Sequence, residues 1–227
     1  MLNPDFTPFF RLFDGFLGYI YMLDEIFGIL TFIIAMLISY YCLKIFDFTK
    51  RKNYFWFGGA FYLIAIGFLL RFIFDFMYDT PKIDKSMFLG TFDFNLFQTM
   101  LILAHMFFVL AGYILLLIVA LDIKKRVSLL IFIISIASLF VSMNYHFTFL
   151  VIILIVISTL LIHFDRNFDR KRTITAGIVW YSFILILFGY LMQLLIFFSN
   201  KFYLLGILFN MGGFLLLLLN FILVLRK

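Results

Sequence analysis

Apolar residues in this chain occur in seven long runs that short polar or charged segments separate. A helix needs about 20 mostly apolar residues to cross the hydrocarbon core of a bilayer, and these runs are near that length. The fourth and fifth runs are divided only by Asn144, Tyr145 and His146, so they also fit one bent element. The pattern predicts an all-α integral membrane protein with seven transmembrane helices, at 26–43, 54–74, 96–121, 127–143, 147–163, 176–198 and 203–225.

The composition indicates the same class of protein. Hydrophobic residues make up 66% of the chain and charged residues 13%, which leaves too few polar side chains to cover a surface that faces water. The lone cysteine, Cys42, excludes an intramolecular disulfide. We therefore expect a multi-pass protein of the cell membrane, in which residues 26–227 form a single transmembrane domain.

The distribution of charges predicts the orientation of the helices. Thirteen of the 18 lysines and arginines, with four acids, fall on one side of the predicted spans, and five cations with eight acids fall on the other. By the positive-inside rule, the N-terminus is then outside and the C-terminus inside. Short cationic loops suit anionic lipid headgroups at the inner face, so we do not expect nucleic-acid binding. The inner cations are Lys44, Lys50, Arg51, Lys52, Lys124, Lys125, Arg126, Arg166, Arg170, Lys171, Arg172, Arg226 and Lys227.

Residues 1–25 precede the first predicted span and follow a different pattern. Phe9, Phe13, Phe16 and Ile20 recur at helical spacing, with polar residues on the other faces. This spacing predicts an amphipathic helix that lies in the outer headgroup layer. Two interpretations remain open, a lead-in that rests on the membrane and a lid over an outer opening.

The first and second predicted spans align with the fifth and sixth, and the third aligns with the seventh. The segment 61–69 matches the segment 183–191 at five positions, at an offset of 122 residues, and Gly112 aligns with Gly213 at an offset of 101. A chain so rich in Phe, Leu and Ile also produces matches of this kind by chance. A true repeat would give a parallel 3+1+3 arrangement, which is one of the known ways to build a transporter with a binding site near the midplane.

Polar residues within the predicted spans are concentrated in the outer half. His105 lies about 15 Å below the outer end of the third span, too deep to reach the headgroups, so it is a candidate for ligand or proton handling or for a structural hydrogen bond. Arg71 lies near the outer end of the second span, either as an anchor paired with Asp75 or as a cavity wall that faces Gln193. The pattern predicts a polar cavity open to the outside, with candidate ligand-binding residues His105, Gln98, Arg71, Gln193, Asn210 and Asp75.

The motifs of common enzymes do not occur in this sequence. HExxH, GxSxG, Walker A and GxGxxG patterns are missing, and the three histidines are predicted at three different depths. We therefore expect neither an enzyme nor a bound metal or cofactor.

Three functional hypotheses follow from these patterns. The first is a transporter of a small external solute or a cation, since the outer acids attract cations. The second is a membrane sensor or receptor that signals through a partner protein, because the predicted inner loops are too short for an output domain. The third is an accessory subunit of a larger membrane complex. The outer polar residues favour the first two hypotheses, and the small size of the chain favours the third.

Overall fold

Every element in the described part of the protein is a helix. The computed structural model describes residues 7–79, 94–123, 125–142, 144–171, 174–195 and 200–225. This confirms the prediction of an all-α protein. The seven helices are α1 (Thr7–Thr49), α2 (Lys52–Asp79), α3 (Phe94–Leu121), α4 (Lys125–Val141), α5 (Tyr145–Lys171), α6 (Ile174–Leu194) and α7 (Asn200–Leu225).

Six of these helices are long and apolar enough to cross a membrane, all except α4. α4 has 17 residues, which at 1.5 Å per residue give a helix of about 25 Å, somewhat less than a hydrocarbon core of about 30 Å. The multi-pass membrane character therefore agrees with the sequence analysis. The seventh span, the orientation and the internal repeat stay predictions.

α1 joins the predicted interfacial segment to the first span. The helix runs for 43 residues from Thr7 to Thr49 without a break. Residues 1–6, and the side chains of residues 7–25, lie outside the described part of the structure. The placement of residues 1–25 in the outer headgroup layer therefore stays a prediction.

The short break before α5 separates two helices. The side-chain oxygen of Asn144 accepts a hydrogen bond from the backbone N–H of Phe147, with an N···O distance of 3.2 Å. The hydroxyl groups of Ser142 and Thr148 are also hydrogen-bonded, 2.6 Å apart. An asparagine in this position is a favoured N-cap, because it satisfies a backbone donor in the first turn of the helix. The break therefore ends α4 and starts α5, which resolves the alternative of one bent element.

Six helices form a closed ring, and α4 packs beside it. Around the ring, α1 contacts α2, α2 contacts α3, α3 contacts α5, α5 contacts α6, α6 contacts α7, and α7 returns to α1. α4 contacts α3 and α5. The interior of the ring is filled by fully buried side chains that include Tyr113, Ile64, Ile186 and Phe214.

Glycines allow the closest helix pairs to approach each other. A Cβ atom on Gly112 of α3 would lie 2.5 Å from Ile64 Cγ1 and 2.7 Å from the Ala60 carbonyl oxygen of α2. A Cβ atom on Gly213 of α7 would lie 2.5 Å from the Cγ1 atom of Ile186 in α6. Small residues at such contacts are typical of helix packing in membranes, where backbones approach closely.

The outward faces of the bundle are apolar. Leu130, Ile134 and Phe140 of α4 are exposed, as are Trp56 of α2 and Tyr181 of α6. So many exposed apolar side chains are unfavourable in water and suit contact with lipid. The exposed Trp56 near the start of α2 is also typical of a membrane interface.

Candidate functional site

A cavity of about 170 Å³ lies between α2, α3, α5, α6 and α7. The contributing residues come from the later part of α2, the earlier part of α3, the start of α5, the end of α6 and the earlier part of α7. In consecutive antiparallel helices these regions meet at one end of the bundle. That end is the one that the charge distribution predicts to be outside. The cavity is lined by Phe68, Arg71, Phe74, Ile102, His105, Met106, His146, Phe149, Tyr190, Gln193 and Asn210.

Four of the six candidate ligand-binding residues line this cavity. These four residues come from four different helices and lie up to 139 positions apart in the sequence, yet they all line the same cavity. They are Arg71, His105, Gln193 and Asn210. The side chains of Asp75 and Gln98 lie outside the described part of the structure. The structure therefore brings together every candidate whose side chain it describes.

A second, smaller hollow adjoins the cavity on the side of α1. It has a volume of about 20 Å³, and it shares Arg71, Gln193 and Asn210 with the main cavity. Phe27, Gly28 and Thr31 of α1, with Phe68 of α2 and Ile207 of α7, complete its wall. A volume of about 10–15 Å³ is enough to hold one water molecule, so the hollow provides space for water next to the polar side chains.

His105 both packs between helices and lines the cavity. Its Nδ1 atom lies 2.8 Å from the carbonyl oxygen of Gly67 in α2. Because a carbonyl oxygen only accepts hydrogen bonds, Nδ1 must carry the proton and donate it. In the neutral ring, Nε2 is then an acceptor. The ring also lies between Phe68 and Phe149, with centroids 5.9 and 6.0 Å away, so both hypotheses for His105 have a structural counterpart.

Arg71 is half-buried and reaches across to α7. Its guanidinium group donates a hydrogen bond to the hydroxyl of Tyr203, and its Cζ atom lies 6.0 Å from the centroid of the Tyr203 ring. The hydrogen bond gives the guanidinium a fixed orientation toward α7. Arg71 and Gln193 line the same cavity, which agrees with the interpretation of Arg71 as a cavity wall.

Two glycines leave room for Asn210 to pack closely against the backbone of α6. A Cβ atom on Gly189 would collide with the side-chain amide of Asn210. A Cβ atom on Gly206 would lie 2.6 Å from the Gly189 carbonyl oxygen and 2.8 Å from Gln193 Cγ. These two glycines therefore let the Asn210 side chain pack on the backbone of α6 and the Gln193 side chain pack on the backbone of α7, and both side chains line the cavity.

The floor of the cavity is formed by two crossed aromatic pairs. Phe68 and Tyr190 line the cavity, and each contacts a fully buried ring behind it. Phe68 meets Phe214 with centroids 6.0 Å apart and planes at 87°, and Tyr190 meets Tyr113 with centroids 5.9 Å apart and planes at 83°. Edge-to-face contacts of this geometry are favourable and close the ring of helices below the cavity.

Several lining residues were missed by the sequence analysis. Phe68 and Tyr190 precede Arg71 and Gln193 by three positions, and residues at this spacing share a helix face. A search on that spacing would have found both of them. His146 was placed at a different depth from His105, yet both line the cavity. The signal in the sequence was the position of His146 in the break between the fourth and fifth predicted spans, where both spans reach their predicted outer ends.

The described residues do not include a group of three or more His, Cys, Asp or Glu side chains that is arranged to hold a metal ion. Comparisons with protein-family models, with curated proteins and with solved structures find no match. The fold and the cavity together define a broad class, a multi-pass helical membrane protein with a polar-walled cavity near one end of its bundle.

Proposed function

We propose that the protein binds a small solute in this cavity from outside the cell and carries it across the membrane. The observation that carries the proposal is the convergence of Arg71, His105, Gln193 and Asn210 on one cavity from α2, α3, α6 and α7. A polar-walled space between helices, with a closed floor, is the arrangement expected of a carrier that faces one side of the membrane.

We also infer that α1–α3 and α5–α7 are repeats related by a two-fold pseudo-symmetry. Contacts within the halves correspond at the two sequence offsets. Gly112 packs on Ile64 as Gly213 packs on Ile186, and a Cβ atom on either glycine would lie 2.5 Å from the Cγ1 atom of that isoleucine. Gly67 faces Val109 as Gly189 faces Asn210.

Contacts between the halves support the same relation. The two offsets convert the pair Phe68–Phe214 into the pair Tyr190–Tyr113, and the interplanar angles are 87° and 83°. When the two halves are exchanged, the contact between α3 and α5 becomes the contact between α7 and α1, and the ring of helices contains both contacts. Repeats of this type allow a carrier to rock one half against the other around a fixed site.

A flux assay on purified protein in liposomes tests the proposed transport. Labelled carboxylates, amino acids, sugars and monovalent cations are offered to wild type, to His105→Ala and to Ser138→Ala. Ser138 is a suitable control because it is exposed on α4 and its hydroxyl bonds within its own helix, to the Ile134 carbonyl 2.8 Å away. We expect saturable uptake of at least one solute class in wild type and Ser138→Ala, and its loss in His105→Ala.

The same assay separates the alternatives. Binding of a solute without flux would contradict transport and favour a sensor that signals through a partner protein. Neither binding nor flux, in protein that remains folded and monodisperse, would favour an accessory subunit of a membrane complex.

A further inference from the structure

The contacts within each half of the molecule bring helix backbones close together. In α1–α3, the hydroxyl of Ser39 and the ring of His105 donate hydrogen bonds to the backbone carbonyl oxygens of Gly58 and Gly67. Glycines also place backbones and side chains of neighbouring helices in tight contact, each within one half. Close packing of this kind holds membrane helices together, so we expect each half to move as one body. These glycines are Gly58, Gly67, Gly112, Gly189, Gly206 and Gly213.

Aromatic rings supply contacts across the interior of the ring of helices. α2 and α7 are not neighbours in that ring, yet Phe68 of α2 meets Phe214 of α7, with centroids 6.0 Å apart. Phe61 meets Phe221 in the same way, with centroids 6.2 Å apart and planes at 80°. In each helix the two rings are seven residues apart, which is about 10 Å along the helix axis. The pairs therefore form two layers, one at the cavity floor and one nearer the far end, where α2 starts and α7 ends.

The second layer is present on one side of the pseudo-two-fold axis only. Phe183 is the counterpart of Phe61 at the offset of 122 residues, and Ala120 is the counterpart of Phe221 at the offset of 101. Phe183 stacks on Phe164 of α5, in its own half, with centroids 5.0 Å apart. The molecule thus contains one aromatic pair that crosses the interior and a corresponding pair that stays within a half.

We propose that the pairs Phe68–Phe214 and Phe61–Phe221 form a gate that closes the cavity toward the far end, and that this gate opens when the two halves rock. The inference rests on the proposed function and adds the residues that control access to its site. Edge-to-face ring contacts are individually weak, so they can be exchanged between two states more easily than close backbone packing. Removing one ring therefore favours the state that is open at the far end.

Access of a thiol reagent to the cavity measures the state of the gate. In a Cys42→Ala background, Met106→Cys places a single thiol at a buried position of the cavity wall. The full chain is reconstituted in liposomes, and a small, charged, membrane-impermeant thiol reagent is added outside them. Arg51→Cys lies at an exposed position in the turn between α1 and α2, and in a parallel sample it gives the fraction of molecules whose far end faces the reagent.

Phe221→Ala removes one ring of the second layer. We expect it to raise the rate of Met106→Cys labelling from the far end by about two- to tenfold, as the loss of one aromatic pair would predict. Phe164→Ala is the matched control, because Phe164 is also a half-buried phenylalanine and its partner Phe183 is the counterpart of Phe61. This control should leave the rate unchanged.

Labelling from the opposite end distinguishes a gate from a general loosening of the bundle. Rocking closes one end as it opens the other, so Phe221→Ala should not speed labelling from the end nearer the cavity. The inference is wrong if Phe221→Ala speeds labelling from both ends, if it leaves the far-end rate unchanged, or if Phe164→Ala has the same effect. Should the alanine variant fail to fold, Phe221→Leu and Phe164→Leu repeat the comparison, since leucine keeps much of the apolar volume but has no ring.

These outcomes are separate from those of the flux assay. A selective effect of Phe221→Ala in a protein that carries none of the offered solutes would support the gate and favour a two-state sensor over a carrier. Saturable flux, with Phe221→Ala labelled at the parent rate from the far end, would support transport and overturn the gate.

Discussion

At the scale of single residues, His105 combines a structural bond with a place in the cavity wall. It is buried and donates to Gly67 O over 2.8 Å. Hydrogen bonds between membrane helices contribute about 0.6 kcal/mol on average and up to about 1.7 kcal/mol. We expect His105→Leu to destabilise the protein within that range and to lower its midpoint of thermal unfolding in detergent by a few degrees.

A conservative variant separates this bond from packing. His105→Gln keeps an N–H donor, so it should recover part of the stability that His105→Leu loses. The prediction fails if His105→Leu unfolds at the wild-type temperature. It also fails if the glutamine variant is no more stable than the leucine variant.

Ser39 provides a second test of a single interhelical bond. Its buried hydroxyl donates to the carbonyl oxygen of Gly58 in α2, with an O···O distance of 2.9 Å. Ser39→Ala removes this link between α1 and α2 and should cost about 0.5–1.5 kcal/mol of unfolding free energy. Ser138→Ala should be nearly neutral, because the exposed Ser138 hydroxyl bonds within α4. Equal losses in the two variants, measured by thermal unfolding, would argue against a specific role for Ser39.

At the scale of helices, two neighbouring glycines of α7 differ sharply in their surroundings. A Cβ atom on Gly213 would lie 2.5 Å from Ile186 Cγ1 and 2.8 Å from the Ser182 carbonyl oxygen, whereas one on Gly212 would meet only Leu185, at 3.7 Å. We expect Gly213→Ala to separate α6 from α7 and to destabilise the protein by about 1–3 kcal/mol.

Gly212→Ala is the matched control for this packing prediction. Alanine is a better helix former than glycine by about 0.8–1.0 kcal/mol, and position 212 has room for the methyl group. We expect this variant to be at least as stable as wild type when both are melted under the same conditions. A loss in Gly212→Ala as large as that in Gly213→Ala would show that the close approach of the helices is not the cause.

The sequence predicts where each helix lies in the chain better than it predicts which helices pack against each other. Apolar runs bounded by charge locate each element, and the predicted span 127–143 lies within two residues of α4, Lys125–Val141. The lateral contacts are less accessible, because lipid-facing and buried faces are both apolar in a membrane protein. Leu139 is fully buried in α4 while its neighbour Phe140 is exposed, and nothing in their hydrophobicity distinguishes them.

The sequence predicts those residues of the candidate site that are polar and lie deep within an apolar span. Polar side chains are costly in hydrocarbon, so His105, Gln193 and Asn210 stand out among apolar neighbours in sequence. The bond from Arg71 to Tyr203 joins residues 132 positions apart, and tyrosine is common enough in this chain that its sequence position carries no signal. Such a partner depends on the ring of helices, which the sequence pattern did not specify.

At the scale of the whole molecule, the ring explains how α4 relates to the membrane. α3 ends at Leu121, at the end of the bundle away from the cavity, and α5 starts at Tyr145, beside the cavity residue His146. α4 connects these two ends, so it runs along the full length of the bundle. This course supports a seventh crossing by a helix that is somewhat short for the purpose.

The distribution of charge leads to the same conclusion. The cationic segments at 44–52, 124–126, 166–172 and 226–227 share one side only if α4 crosses the membrane. If α4 lay on the surface instead, the segments 166–172 and 226–227 would both lie on the side opposite to 44–52 and 124–126, against the positive-inside rule. With seven crossings, all four cationic segments lie on the inner side, as the positive-inside rule requires.

Reporter fusions at the two ends of the chain distinguish seven crossings from six. With seven, the N-terminus is outside and the C-terminus inside, so in a bacterial host an N-terminal epitope should be accessible to antibody in cells with a permeabilised outer membrane. A C-terminal green fluorescent protein should fluoresce, and a C-terminal alkaline phosphatase should be inactive, because that enzyme requires the oxidising exterior for its disulfides. Six crossings would place both ends on one side, with epitope exposure and phosphatase activity together or neither. That result would remove α4 from the membrane, and with it the parallel relation between the two halves on which the rocking mechanism depends.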